Sequence, residues 1–149
     1  MKNIVLAFSS VFGIGYIKLA SGTFSSLFAL IVWIFIPAAF AWQIAVAAII
    51  VVASVIFSGA AEKIYAVKDD RRIVIDEVAG MWISLLFLPK TVFFFAAAFV
   101  LFRVLDISKP LFINRLQYLK GGWGITADDV AAGIVVNLIL QGIKLGGGL

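Results

Sequence analysis

Residues 19–61 read LASGTFSSLFALIVWIFIPAAFAWQIAVAAIIVVASVIFSGAA, without one charged side chain. These 43 positions provide two membrane spans of about 20 residues each. Pro37, with Ala38 and Ala39 behind it, supplies a turn between them. Backbone groups inside a bilayer must bond within their own segment, so the two spans are predicted to be helices. A barrel strand would alternate polar and apolar positions, and Leu30-Ile31-Val32-Trp33-Ile34 does not.

The rest of the chain agrees. Of 149 residues, 64% are hydrophobic and 13% charged, whereas a soluble domain carries about 25% charged residues; the mean hydropathy is +1.15. So few charges cannot cover a water-facing surface. The expected fold is all-α: a single domain over 1–149, an integral membrane bundle of four to five membrane-embedded helices plus a short N-terminal interfacial helix over residues 2–14. Lys2 before the apolar Ile4–Phe8 resembles the start of a secretory signal, but Lys18 interrupts it and no small-x-small cleavage site follows.

Apolar segments lie at about 24–40, 43–61, 73–88, 91–107 and 127–145, between polar islands at 16–26, 62–77 and 103–129. Residues 78–102 admit one long span or a hairpin. One span would bring Lys90 near the bilayer centre, at about 2.5–3.5 kcal/mol. Pro89 also removes a backbone donor and disfavours helix at Leu88. A turn at Pro89-Lys90-Thr91 relieves both. Lys63, Lys68, Arg71 and Arg72 crowd one loop and Arg103, Lys109, Arg115 and Lys120 another, while 38–42 has no cation and 89–91 only Lys90. That alternation predicts a multi-pass membrane protein with a cytoplasmic N-terminus, five membrane-embedded segments and all three polar islands on the cytoplasmic face.

Cysteine and histidine are absent, which removes disulfides, thiolate nucleophiles, imidazole bases and Cys or His metal sites. The net charge of +4 suits a surface against anionic lipid, and the N-terminal cations are too sparse for nucleic-acid binding. The sequence leaves the oligomeric state open.

Four clusters can carry chemistry. Asp76-Glu77 opens an apolar segment, where acids mark a site or simply favour a helix N-terminus. Arg103 and Asp106 stand three apart, an ordinary ion-pair spacing, with Lys109 one turn on. Gly121-Gly122-Trp123-Gly124 leads to Thr126, Asp128 and Asp129; Thr126 with Asp129 fits a capping box and leaves Asp128 over. Ser21-Gly22-Thr23 opens the first long span, a position suited to anions. Five acids without histidine or cysteine favour a hard cation, Mg2+ first, and the cations favour a phosphate.

Gly22-Thr23, Asp76-Glu77-x-x-Gly80-Met81-Trp82-Ile83, Phe102-Arg103-x-x-Asp106-x-x-Lys109-Pro110 and Gly121-Gly122-x-Gly124-Ile125-x-x-Asp128-Asp129-x-x-Ala132-Gly133 occur in that order. Together they resemble the bacterial phosphatidylglycerophosphatase A family over roughly residues 10–140. The resemblance implies an Mg2+-dependent lipid phosphatase that converts phosphatidylglycerophosphate to phosphatidylglycerol and inorganic phosphate. Carried over residue by residue, it implies catalytic and metal-binding roles for Asp76, Glu77, Asp106, Asp128 and Asp129. It implies substrate binding by Thr23, Arg103 and Lys109. Departures at Ser25, Ile75, Leu111-Phe112, Gln117-Tyr118 and Lys120 argue against substrate contact by the 111–120 stretch. Two rivals stand beside this reading. A CDP-alcohol-type phosphotransferase would carry an Asp-Gly-x2-Ala-Arg run, which is missing, and a small transporter would carry a polar path across the bilayer.

Overall fold

Proline and glycine divide this chain more than charge does. The computed structural model describes residues 1–147; residues 148 and 149, with the last glycine of the terminal run, and the side chains of Leu111 and Phe112 lie outside the described residues. Every regular element among the described residues is helical: α1 (Lys2–Ser9), α2 (Ser21–Phe35), α3 (Phe40–Tyr65), α4 (Ile75–Leu85), α5 (Val92–Ser108), the short α6 (Leu111–Asn114) and α7 (Gly122–Gly146), with 3-10 turns at Ile14–Tyr16 and Leu116–Tyr118.

The turn expected at Pro37 is present: α2 stops at Phe35, Ile36 is extended, and α3 starts at Phe40. The second expected span runs four residues further, through Glu62 and Lys63. It ends where Ala66 turns left-handed at φ 55° and its N–H bonds the Glu62 carbonyl at 2.9 Å. The N-terminal helix is shorter than the predicted 2–14. Val11, Phe12 and Gly13 all take positive φ, so the chain leaves the helix after Ser9. It then folds back, and the Ser9 carbonyl accepts the Val74 N–H at 2.9 Å.

Residues 73–107 form a hairpin. The helix breaks between Leu85 and Val92, and the first turn of α4 and the last turn of α5 line one cavity, so the two helices are antiparallel. The break is held by side chains. The Lys90 ammonium donates to the carbonyls of Trp33, Ile34 and Ile36, the C-terminal end of α2 that has no helical N–H of its own to use. Asn137 and Gln141 donate to the Leu86 carbonyl at 2.8 and 2.9 Å, and Lys144 to that of Phe87 at 3.0 Å. The irregular backbone between α4 and α5 is thus satisfied by donors from elsewhere in the protein.

α7 and the shorter α4 pack face to face, with α3 against both and α2 and α5 flanking them. Trp33, Met81, Leu85, Phe94, Phe102, Val136 and Leu140 fill the interior. The α4–α7 crossing is close because glycines make it so. A Cβ on Gly133 would collide with the Gly80 carbonyl oxygen, and one on Gly80 would come within 2.6 Å of the Asp129 carbonyl oxygen.

The exterior explains the composition. Phe40–Tyr65 and Gly122–Gly146 are long and apolar enough to cross a membrane, and α2 is a shorter apolar helix. Ile49, Val52 and Ile56 of α3 are 68%, 58% and 59% exposed. Exposing such side chains to water forfeits about 1.5–3 kcal/mol each. Lipid is the solvent this surface fits, and the chain is a membrane protein.

A candidate acidic metal and phosphate site

All three polar islands meet at one end of the bundle. The start of α2, the 66–74 loop, the start of α4, the end of α5 and the start of α7 enclose a cavity of about 280 Å3.

Asp76 and Glu77 enter from the first turn of α4, where free backbone N–H groups suit negative charge. Asp129 enters from α7. The capping box expected at Thr126–Asp129 is not formed: α7 begins four residues before Thr126, at Gly122. Gly121, at φ 60°, turns the chain in, and Gly122 lies where a Cβ would strike the Val55 carbonyl. The Thr126 hydroxyl instead meets Ser54 of α3 at 2.7 Å. Asp128 and Asp129 are thus carried into the second turn, nearly fully buried, and need partners other than their own backbone.

One oxygen each from Asp76, Glu77 and Asp129 lie within 4.8 Å of one another. Asp76 Oδ1, Glu77 Oε2 and Asp129 Oδ2 are buried with no hydrogen-bond partner. Buried carboxylates without partners are strongly unfavourable. Three such groups with converging oxygens, and no nitrogen or sulfur donor, fit a hard divalent cation of the Mg2+ type.

The other two acids hold cations. Arg103 Nη1 donates to Asp106 Oδ2 at 2.7 Å and to Ser26 Oγ at 3.5 Å. This is the ion pair that the i,i+3 spacing predicted. Lys109 Nζ meets Asp128 Oδ2 at 2.5 Å. Lys109 and Asp106 line the cavity with the three unpartnered acids. Arg103 does not line it but lies beside the start of α2, near Glu77: a Cβ on Gly22 would lie 3.3 Å from Arg103 Nη1 and would overlap Glu77 Oε1. Five of the eight residues singled out in the sequence therefore line the cavity, and Arg103 and Asp128 are tied to it through their partners Asp106 and Lys109. Thr23 does not line the cavity; it sits half-buried in the first turn of α2, and Ser21 takes the lining position.

Two charged cavity residues, Asp69 and Arg71, escaped the sequence reading, whereas Ser21 belongs to the anion-suited Ser21-Gly22-Thr23 cluster. The run Lys68-Asp69-Asp70-Arg71-Arg72 read only as a charged loop that reports topology. Its shape depends on Asp70, which accepts from Arg72 N at 3.0 Å, Nε at 2.7 Å and Nη2 at 2.8 Å. These side-chain bonds, acting against burial and assisted by the backbone N–H, hold the Asp70 carboxyl below its ordinary range. The Arg72 guanidinium also lies 3.7 Å from the Tyr65 ring centroid, and Ser21 Oγ bonds the Arg71 carbonyl at 3.1 Å. Asp69 is exposed as a residue, yet the cavity walls crowd its carboxyl. That desolvation pushes it above its ordinary range in spite of Lys109.

A sequence profile described as phosphatidylglycerophosphatase A matches residues 7–144. Over 139 residues the chain is 38% identical to a Bacteroides thetaiotaomicron protein provisionally named a phosphatidylinositol-3-phosphatase, covering 87% of this chain and 86% of that one. It is 37% identical over 136 residues to the phosphatidylglycerophosphatase A of Escherichia coli strain K12, covering 87% and 77% of the two chains. It is 39% identical over 80 residues to that of Haemophilus influenzae, covering 52% and 49%. No solved structure matches.

Proposed function

This chain belongs to the phosphatidylglycerophosphatase A family, and we propose that it hydrolyses the phosphate monoester of phosphatidylglycerophosphate, giving phosphatidylglycerol and inorganic phosphate. The observation that carries the reading is the trio of buried, unpartnered carboxylate oxygens with two paired cations beside them. That is the donor set expected where a divalent ion and a phosphate are held together.

Asp76, Glu77 and Asp129 would hold Mg2+. When bound, the ion supplies Lewis-acid polarisation of the phosphoryl oxygens and lowers the pKa of a water nearby. Lys109 and Arg103 neutralise charge on the equatorial oxygens of the transferring group. Asp106 and Asp128 fix where those cations point, because a paired cation reaches the transition state with less reorganisation. The five acids thus divide in two: three for the ion and two for the cations.

The membrane arrangement follows the same logic. We read α2, α3, α4, α5 and α7 as the membrane-embedded helices. The site end carries Lys63, Lys68, Arg71, Arg72, Arg103, Lys109, Arg115 and Lys120, and the opposite end carries Lys90 and Lys144. This asymmetry supports a multi-pass chain with the site facing the cytoplasm. The lipid tails stay in the bilayer and only the headgroup need enter.

The name of the Bacteroides relative favours one second reading, a phosphatidylinositol 3-phosphate substrate. Both lipids present a phosphate monoester on a polyol. Phosphotransfer between lipid and alcohol loses ground to the family assignment. Transport loses ground because the charged residues collect at one end of the bundle. Phosphate release from each lipid by purified protein, with Mg2+ and with a chelator, is the test. Absence of release from phosphatidylglycerophosphate at every Mg2+ concentration ends the proposal.

A further inference from the structure

Two hollows adjoin at the site end of the bundle, and a third flanks the 116–118 turn that walls the second. The acidic cavity shares Asp69 with an annex of about 280 Å3, walled by Lys68, Gln117 and Tyr118 and floored by Gly124 and Ile125. Gly124 lies where a Cβ would strike the Leu119 carbonyl and approach that of Gln117 within 3.0 Å, so the 117–119 backbone rests directly on α7. Lys68 Nζ stands 5.8 Å from the Tyr118 ring centroid, on the wall that Gln117 shares. An apolar groove of about 260 Å3 along α7 flanks the same Leu116–Tyr118 turn, lined by Leu116, Trp123, Ala127, Val130, Ala131 and Ile134 among others. The three hollows differ in chemistry in sequence: acids and cations, then an amide, a phenol and one cation, then hydrocarbon.

The order matches a phospholipid monoester read from its reactive end. We propose that the annex receives the polyol and the inner phosphodiester of the substrate, and that the groove receives the upper part of one acyl chain. Gln117, Tyr118 and Asp69 offer hydrogen bonds to polyol hydroxyls, and Lys68 offers charge to the diester. On α7 the residues at 123, 127, 130 and 134 form one stripe at helical spacing, directed from the site end toward the middle of the span. These residues select the lipid and do not act on the phosphorus. The departures at Gln117-Tyr118, which argued against substrate contact by this stretch, then mark where headgroup selectivity is set. The inference rests on the phosphatase reading and adds to it which surfaces the lipid follows.

The test compares kcat/KM for diacyl phosphatidylglycerophosphate with that for its deacylated, water-soluble headgroup. Ala131→Phe fills the groove, and Ile134→Ala, at an exposed position, removes part of its wall without endangering folding. The diacyl-to-headgroup ratio is expected to fall severalfold in Ala131→Phe and less in Ile134→Ala, since an acyl chain kept out of the groove returns to bilayer hydrocarbon and loses only its packing contacts with α7. Ala48→Phe, on the apolar outer face of α3, serves as the control and keeps the wild-type ratio. An unchanged ratio in both groove variants overturns the proposal, as does an equal fall in the control. A wild-type protein that releases phosphate from neither substrate defeats the phosphatase reading itself, a different result from either.

Discussion

Gly80 lies so close to the backbone of Asp129 that a Cβ at position 80 would stand 2.6 Å from the Asp129 carbonyl oxygen and 2.5 Å from the Phe102 ring. One absent methyl group therefore sets the distance between α4, which carries Asp76 and Glu77, and α7, which carries Asp129. Gly80→Ala must push these helices apart or displace Phe102. Overpacking of this kind costs about 1–3 kcal/mol. The expected outcome is a lowered melting temperature in detergent and a larger loss of phosphate release than the stability change explains. Full activity in this variant would show that the crossing does not set the site.

Asp129→Asn should separate stability from activity. Removing one of three mutually close, unpartnered acids relieves repulsion, so the metal-free variant is expected to melt above metal-free wild type. Mg2+ at a hundredfold over its Kd should stabilise the wild type by about 2.7 kcal/mol and the variant far less. Phosphate release should be lost. Thermal melts with and without Mg2+ read the first two effects independently of turnover. Equal Mg2+ stabilisation of both proteins would remove Asp129 from the ion's ligands.

Lys109 and Asp128 form a pair with one partner buried, the side chains being 30% and 3% exposed. Lys109→Met leaves Asp128 without its cation and should cost about 1–3 kcal/mol, with a marked fall in kcat. Adding Asp128→Asn is expected to recover stability but not turnover. A double-mutant cycle in which the two stability losses simply add would contradict the coupling.

Acid should act on the 66–74 loop through Asp70. Its carboxyl is held below the ordinary 3.8 chiefly by the Arg72 hydrogen bonds. A depressed folded value means the stabilisation is present above the unfolded value and is lost as pH falls through the folded one. From this group, stability is flat between about pH 5 and 8 and declines below about pH 4. Asp70→Asn should be less stable at neutral pH and lose that acid decline. Melting temperatures across the acid range, up to neutrality, provide the comparison.

The absence of cysteine makes topology directly measurable. Single cysteines replacing Lys68 and Lys90 in the otherwise native chain are expected to react with a membrane-impermeant maleimide from opposite sides, position 68 only when the cytoplasmic face is open. Labelling of both from one side would rule out the hairpin topology in the membrane.

The charge-free run from Leu19 to Ala61 and Pro37 within it were sufficient to define an all-α membrane chain; Pro89-Lys90 favoured a hairpin between α4 and α5 without excluding one long span. Hydropathy and proline act locally, and local causes can be read from local sequence. The acids of the site were legible for a related reason: a carboxylate beside an apolar segment is costly wherever the segment goes, so its presence already signals a partner. Their division of labour was not legible. Which acids would pair with Arg103 and Lys109, and which would face one another unpartnered, depends on distances between helices distant in sequence. Those distances are set by Gly80 against Asp129 and by Gly122 against Val55. The early start of α7, which undid the Thr126 cap, and the folding of Asp69 and Arg71 into the cavity have the same origin. Each depends on what packs against a residue from elsewhere in the chain, and only the assembled bundle supplies that neighbour.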